Sequence, residues 1–358
     1  MRLPGFIDRE KLLPSLPAEK LSLIRGAREP CYTIEMVASP RLSRILIEVI
    51  ASAILVAAIA IDTGASSIPG SMLHIGGADI GVSFEAGEIN LPRASVLGWI
   101  SKSACAVTEY YGRFPVRHLN VDIVPLENGK GVVFGRTFIP DRTAKIRVTL
   151  GHSATESDLH DDWIMTHEMV HLAFPQVPRK HHWIEEGIAT YVEPIARAQI
   201  GDLSAAKVWR DLVEGLPHGL PAPGDQGLDN THTWGRTYWG GGLYCVMADV
   251  EIHRRTKNKF GLQDALRAIA RTTNFEVESS LTRALKTGDD AIGVPVLVEL
   301  YDKMKDAPLD PNLPKLWQDL GVKVSGDSVV FDKAAPFASI VSSIVAARGG
   351  TICGAGEK

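Results

Sequence analysis

The sequence predicts an α+β protein in which a mixed β-sheet lobe is followed by a helical lobe, with a cleft at their junction. Three observations carry this prediction. Short alternating apolar segments cluster between residues 80 and 150, and helical periodicity dominates after residue 157. A tight group of histidines and glutamates sits where one pattern gives way to the other.

Composition suits such a packed domain. Of 358 residues, 45% are apolar and 22% charged, enough for a large core without help from disulfides. A net charge of −4 and the lack of any Lys or Arg run argue against a nucleic-acid partner. Cys31, Cys105, Cys245 and Cys353 form no CxxC pair, so they read as buried small hydrophobes rather than a zinc or redox motif.

Residues 1–43 carry mixed charge and scattered Pro4, Pro14, Pro17 and Pro30, and read as poorly ordered. Residues 45–61, ILIEVIASAILVAAIAI, are apolar except for Glu48 and Ser52. Arg41 and Arg44 precede them, and Ala58-Ile59-Ala60 resembles a signal-peptidase site. The stretch 44–62 therefore reads as a signal-peptide h-region or membrane anchor, with a core helix as the rival because Glu48 suits lipid poorly. The expected location is periplasmic, or anchored to the inner membrane with the folded domain outside. Met36 would give a signal peptide of ordinary length if the chain started there. Residues 63–77 read as a linker, 78–346 as the folded domain, with lobes 78–175 and 176–346, and 347–358 as a tail.

Within the first lobe, strands are expected at 80–84, 116–124, 131–134 and 146–150, the last two joined through Pro140-Asp141. One helix, 94–111, carries Val96, Ile100, Ala104 and Val107 on one face. Helices then follow at 157–174, stopped by Pro175, at 183–200 before Gly201, and at 204–212 before Gly215. A loop rich in Gly and Pro spans 217–230. Further helices are expected at 238–255, 262–271 and 277–286, then a hairpin over 322–331 and a last helix from Pro336.

The chemistry concentrates in Thr166-His167-Glu168-Met169-Val170-His171. On a helix, residues four apart share a face, so His167 and His171 can hold one metal ion while Glu168 stands beside it. Zinc lowers the pKa of a bound water to ~7, and an adjacent carboxylate can take its proton. The flanking Trp163, Ile164, Val170, Leu172 and Phe174 are apolar, so the helix is buried, and a buried His pair needs a partner. A catalytic site needs a third protein ligand and one open position.

Downstream stands Trp183-Ile184-Glu185-Glu186-Gly187-Ile188-Ala189-Thr190-Tyr191-Val192-Glu193. HExxH followed by WxxEGxAxYxE resembles the gluzincin metallopeptidases, including the aminopeptidase N-like and glycyl aminopeptidase-like families. The resemblance implies a zincin, thermolysin-like catalytic fold with its active site between the lobes, Zn2+ as cofactor, and peptide or protein substrates. It makes Glu186 the third ligand and Glu168 the general base; Glu185, the runner-up, would point about 100° away, while Thr190 and Glu193, at i+4 and i+7 on the face of Glu186, are candidates to orient an imidazole. His181 is a minor ligand candidate and His182 a rim residue. The metzincin pattern fails, because Phe174 and Val177 replace its Gly and third His.

Thr237-Tyr238-Trp239-Gly240-Gly241-Gly242 resembles the downstream Tyr-x-x-Gly of glycyl aminopeptidase-like peptidases. There the tyrosine steadies the tetrahedral oxyanion, a role that falls to Tyr238, with His232 and Arg236 as alternatives. Where aminopeptidase N-like enzymes carry a Glu for the substrate's free amine, this chain has Gly131-Val132-Val133-Phe134-Gly135-Arg136, with no carboxylate. That stretch can still pair with an extended peptide as an edge strand, which leaves endo- and aminopeptidase action both open. A zincin acting on a non-peptide substrate and a catalytically silent zinc-binding protein are the rival readings.

Overall fold

Alternating apolar positions between residues 71 and 151 build one five-stranded mixed sheet. The computed structural model describes residues 70–140, 143–326 and 328–347. The stretches read as a disordered segment (1–43), as a signal or anchor (44–62) and as most of the tail lie outside them. Strands β1 (Ser71–Ile75), β2 (Ala78–Phe84), β3 (His118–Leu126), β4 (Val132–Phe138) and β5 (Ala144–Gly151) lie in the order β1-β2-β3-β5-β4. β2, β3 and β5 run parallel, with β1 and β4 antiparallel at the edges. The central strands bury every second residue: Ile80 and Val82, then Leu119, Val121 and Ile123, then Ile146, Val148 and Leu150.

A parallel pair needs a long crossover, and helix α1 (Arg93–Tyr111) supplies it between β2 and β3. All four residues expected on its inner face are buried. Gly112, at φ 78°, ends it and returns its N–H to the Thr108 carbonyl, a conformation that favours glycine.

The single helix expected over 157–174 is instead two, α2 (Glu156–His160) and α3 (Ile164–His171). Asp162 makes the break: its carboxylate accepts from the backbone N–H of Ile164 and Met165 at 3.0 Å each, so a new helix starts there. Helix α4 (His182–Gln199) runs through Pro194, which forgoes the hydrogen bond to the Thr190 carbonyl. α5 (Ala205–Gly215) follows, then a π-helical turn (Arg236–Gly240) leads into α6 (Gly241–Thr256). α7 (Leu262–Thr272) lies as expected, whereas α8 (Leu281–Ile292) starts later, because Ser280 caps it. α9 (Val296–Met304), α10 (Leu313–Leu320), the β6 (Val322–Ser325) and β7 (Ser328–Phe331) hairpin and α11 (Ala338–Val345) complete the helical lobe.

Three further differences have physical reasons. β1 occupies part of the stretch read as linker, and its half-exposed edge position leaves little apolar alternation to detect. Cys245 is buried and free as expected, but Cys105, only partly buried, is disulfide-bonded; pairing is set by the fold and not by sequence spacing. Among the described residues no helix is long and apolar enough to cross a membrane, and residues 45–61 lie outside them.

Candidate metal centre

Helices α3 and α4 pack against each other, and the facing side chains bring His167, His171 and Glu186 together. One ligand atom from each lies within 4.8 Å of the others. Glu186 Oε2 stands 3.1 Å from His167 Nε2 and 3.6 Å from His171 Nε2. Two ligands held ~2.0–2.1 Å from zinc at a tetrahedral angle stand about 3.3 Å apart, and the observed separations bracket that value. The donor set of two imidazoles and a carboxylate also suits zinc, so the residues fit the ion that the motif implies.

Burial alone would raise the pKa of Glu186, but contacts with His167, His171 and His182 hold it well below the ordinary carboxylate value. Burial lowers that of His171, and Glu186 more than reverses this. A carboxylate kept ionised in a buried pocket is a ready cation ligand. Glu185, the runner-up, turns instead to His182, whose Nδ1 lies 3.3 Å from its Oε2.

His182 is a contributor that the sequence reading left at the rim. Its Nε2 stands 3.2 Å from Glu186 Oε1, so it braces the oxygen that faces away from the two histidines. The i, i+4 spacing from His182 to Glu186 was a usable signal. His181 points elsewhere: its Nδ1 lies 2.8 Å from buried Asp229, which also accepts from Trp183 Nε1 and Tyr301. Glu193 does not orient an imidazole either, because it pairs with Arg197 at 3.0 Å. Among the described residues His167 Nδ1 is buried without a hydrogen-bond partner, and its ring meets Trp163 edge-on, centroids 5.2 Å apart.

Glu168 is buried beside these candidate ligands, and strand β4 crosses over it. Thr137 Oγ1 lies 2.8 Å from Glu168 Oε2 and 2.7 Å from its backbone oxygen, fixing side chain and helix together. At Gly135 an added Cβ would stand 2.8 Å from Glu168 Cγ and 2.4 Å from Ile164 Cγ2, so only glycine lets the strand come this close. Neither contact is readable from sequence spacing, since Thr137 lies 31 residues before Glu168.

Tyr238 sits inside the π-helical turn, its ring stacked on that of His167 with centroids 6.3 Å apart. Such turns are frequent at functional sites. Of the alternative donors, Arg236 is buried against Asp225 at 2.7 Å and bonds the Gly219 carbonyl, while His232 is exposed. The motif glycines have a packing reason. A Cβ on Gly187 would meet Gly241 at 2.3 Å, and one on Gly241 would meet the Trp183 carbonyl at 2.1 Å. The helix bearing Glu186 and the one following Tyr238 therefore touch backbone to backbone.

No family model matches the sequence, and no curated protein matches it. Solved structures do match. An aminopeptidase N family protein from Idiomarina loihiensis is 14% identical with a TM-score of 0.52, over 75% of this chain and 52% of that one. An M1 zinc metallopeptidase from Deinococcus radiodurans is 16% identical with a TM-score of 0.44, over 68% of this chain and 52% of that one. The chain thus spans about half the length of these structures. It has an α+β fold similar to that of the aminopeptidase N family protein, as the motif resemblance led us to expect.

Proposed function

We propose that this chain is a zinc-dependent peptidase in which His167, His171 and Glu186 hold the ion, Glu168 is the general base and Tyr238 the oxyanion donor. The convergence of the three donor atoms next to a buried carboxylate is the observation that carries this reading. Zinc, when bound, activates a water and polarises the scissile carbonyl. The chain's own groups do the rest.

Glu168 accepts the proton of the attacking water and passes it to the leaving amine. Thr137 limits the orientations open to it. The Tyr238 hydroxyl donates to the oxygen on which charge grows. His182 keeps Glu186 from swinging away from the histidines. Strand β4 ends the sheet and reaches Glu168 at Gly135, so an extended peptide can add to it and bring its carbonyl towards the base. That preference for an extended backbone favours peptides over other acyl substrates.

Replacing Glu168 by Gln separates binding from chemistry. The variant should keep zinc and the fold while turnover of a peptide library falls by roughly 10²–10⁴-fold or more. Turnover near the wild-type rate would remove Glu168 from the mechanism.

A further inference from the structure

The face of α4 that carries Glu186 does not stop at the metal ligands. At about 100° per residue, Glu193 and Arg197 fall within roughly 20° of Glu186 on the same face, with Arg197 about 16 Å further along. Arg197 is 5% exposed and every arm of its guanidinium is engaged. Nη1 donates to the Asp162 carbonyl at 2.8 Å and to Glu193 Oε1 at 3.0 Å. Nη2 donates to the His160 carbonyl at 2.8 Å, and Nε to Asp202 Oδ2 at 2.6 Å.

Two of those acceptors belong to the turn from which α3 springs. The same turn supplies the Asp162 carboxylate, which takes the first N–H groups of α3 and, at 3.1 Å, the indole N–H of Trp99 on α1. Helix α3 has eight residues, so its position depends on how its ends are tied. Its C-terminal half is tied to α4 through the ligand cluster, and its start is tied to the same helix through Arg197.

We propose that Arg197 is a positioning residue that sets the register of the HExxH helix on the glutamate helix, so that His167, Glu168 and His171 stand correctly against Glu186. This rests on the zinc-peptidase reading above. A buried ion pair is weak support for stability as such, whereas fixing register is its best-attested use. A planar fork suits the task, since it bonds two carbonyls of one turn at once in a fixed geometry that an ammonium reproduces only in part. A slip of α3 by 1 Å would misplace two ligands and the base together, and misplacement on that scale costs roughly 10²-fold in rate.

The experiment measures zinc affinity, kcat and KM for the full chain and for the variants Arg197→Gln, Arg197→Lys and Glu193→Gln. A cavity of about 20 Å3 beside the guanidinium, lined by Lys102, His160, Thr166 and Asp202 among others, leaves room for a water to cover the loss. We expect R197Q to fold, to bind zinc ten- to a hundredfold more weakly, and to lose kcat with little change in KM. R197K should recover part of both losses, and E193Q, which leaves the two carbonyl contacts in place, should bind zinc within about threefold of wild type. A folded R197Q with wild-type zinc affinity and kcat would overturn the proposal. So would failure of both R197Q and R197K to fold, since that would make the cluster a general support of the domain. Absence of zinc from the wild-type chain would instead defeat the metal-site reading, so the two failures are distinguishable.

Discussion

The helix pair α3 and α4 is joined at two places by opposite electrostatics. At one, His167, His171 and Glu186 turn their ligand atoms towards a common point, and the Glu186 carboxylate is met by the imidazoles of His167, His171 and His182. At the other, the guanidinium of Arg197 is surrounded by Glu193, Asp202 and two backbone carbonyls, and needs nothing further. On the proposed reading a metal completes the first arrangement, whereas the second is complete as folded. The contrast teaches that the scaffold fixes a permanent guanidinium where it needs rigidity and uses titratable imidazoles where, on the proposed reading, a metal enters.

Perturbations should sort by which junction they touch. After Glu168→Gln, the largest effect belongs to Tyr238→Phe, beside the proposed ligands: about 2.7–4 kcal/mol of transition-state stabilisation, or roughly 10²–10³-fold in kcat. Zinc content and melting temperature should stay at the wild-type level. Steady-state kinetics beside metal analysis checks this, and an unchanged kcat would transfer the oxyanion role away from Tyr238.

At the self-neutralised junction the expected effect is on stability and depends on pH. Burial pushes Glu193 from the ordinary 4.5 up to about 7, against the pull of Arg197, while the neighbouring Asp162 adds to the rise. Burial likewise lifts Asp162 to about 6, against its backbone donors and Arg197. A carboxyl whose folded pKa is raised binds its proton more tightly in the native state than in the unfolded one. Its contribution is therefore full below about pH 4.5 and is lost as pH rises through 7. Wild-type stability should fall over that window by up to about 3 kcal/mol from Glu193 alone. Glu193→Gln should remove that share of the slope, as read from urea denaturation at pH 5 and pH 8. Parallel pH profiles for the two proteins would show that Glu193 does not titrate in this range.

What the sequence disclosed follows from how local each signal is. HExxH, the Glu-Gly pair and Tyr238 are each read within one or two helical turns, and all three came together in space. The central strands and α1 showed themselves by regular burial. Contacts made across the fold left no such mark: Thr137 on Glu168, the close passage of Gly135, and the Arg197 fork on the Asp162 turn. The break between α2 and α3 was hidden because Asp162, a capping residue, stands inside an unbroken helical pattern. Glu193 was misjudged for a related reason. Its face on α4 was correct, but the partner waiting there was Arg197 and not an imidazole.

The central claim is that three side chains of this protein form a zinc site with Glu186 as the third ligand, and metal analysis tests it most directly. Purified wild-type chain should carry about one zinc, lost together with peptidase activity on chelation. Glu186→Ala should lose most of the metal, whereas Glu185→Ala, whose carboxylate faces His182, should keep it. Full zinc occupancy in Glu186→Ala, or a wild-type chain that binds none, would contradict the account.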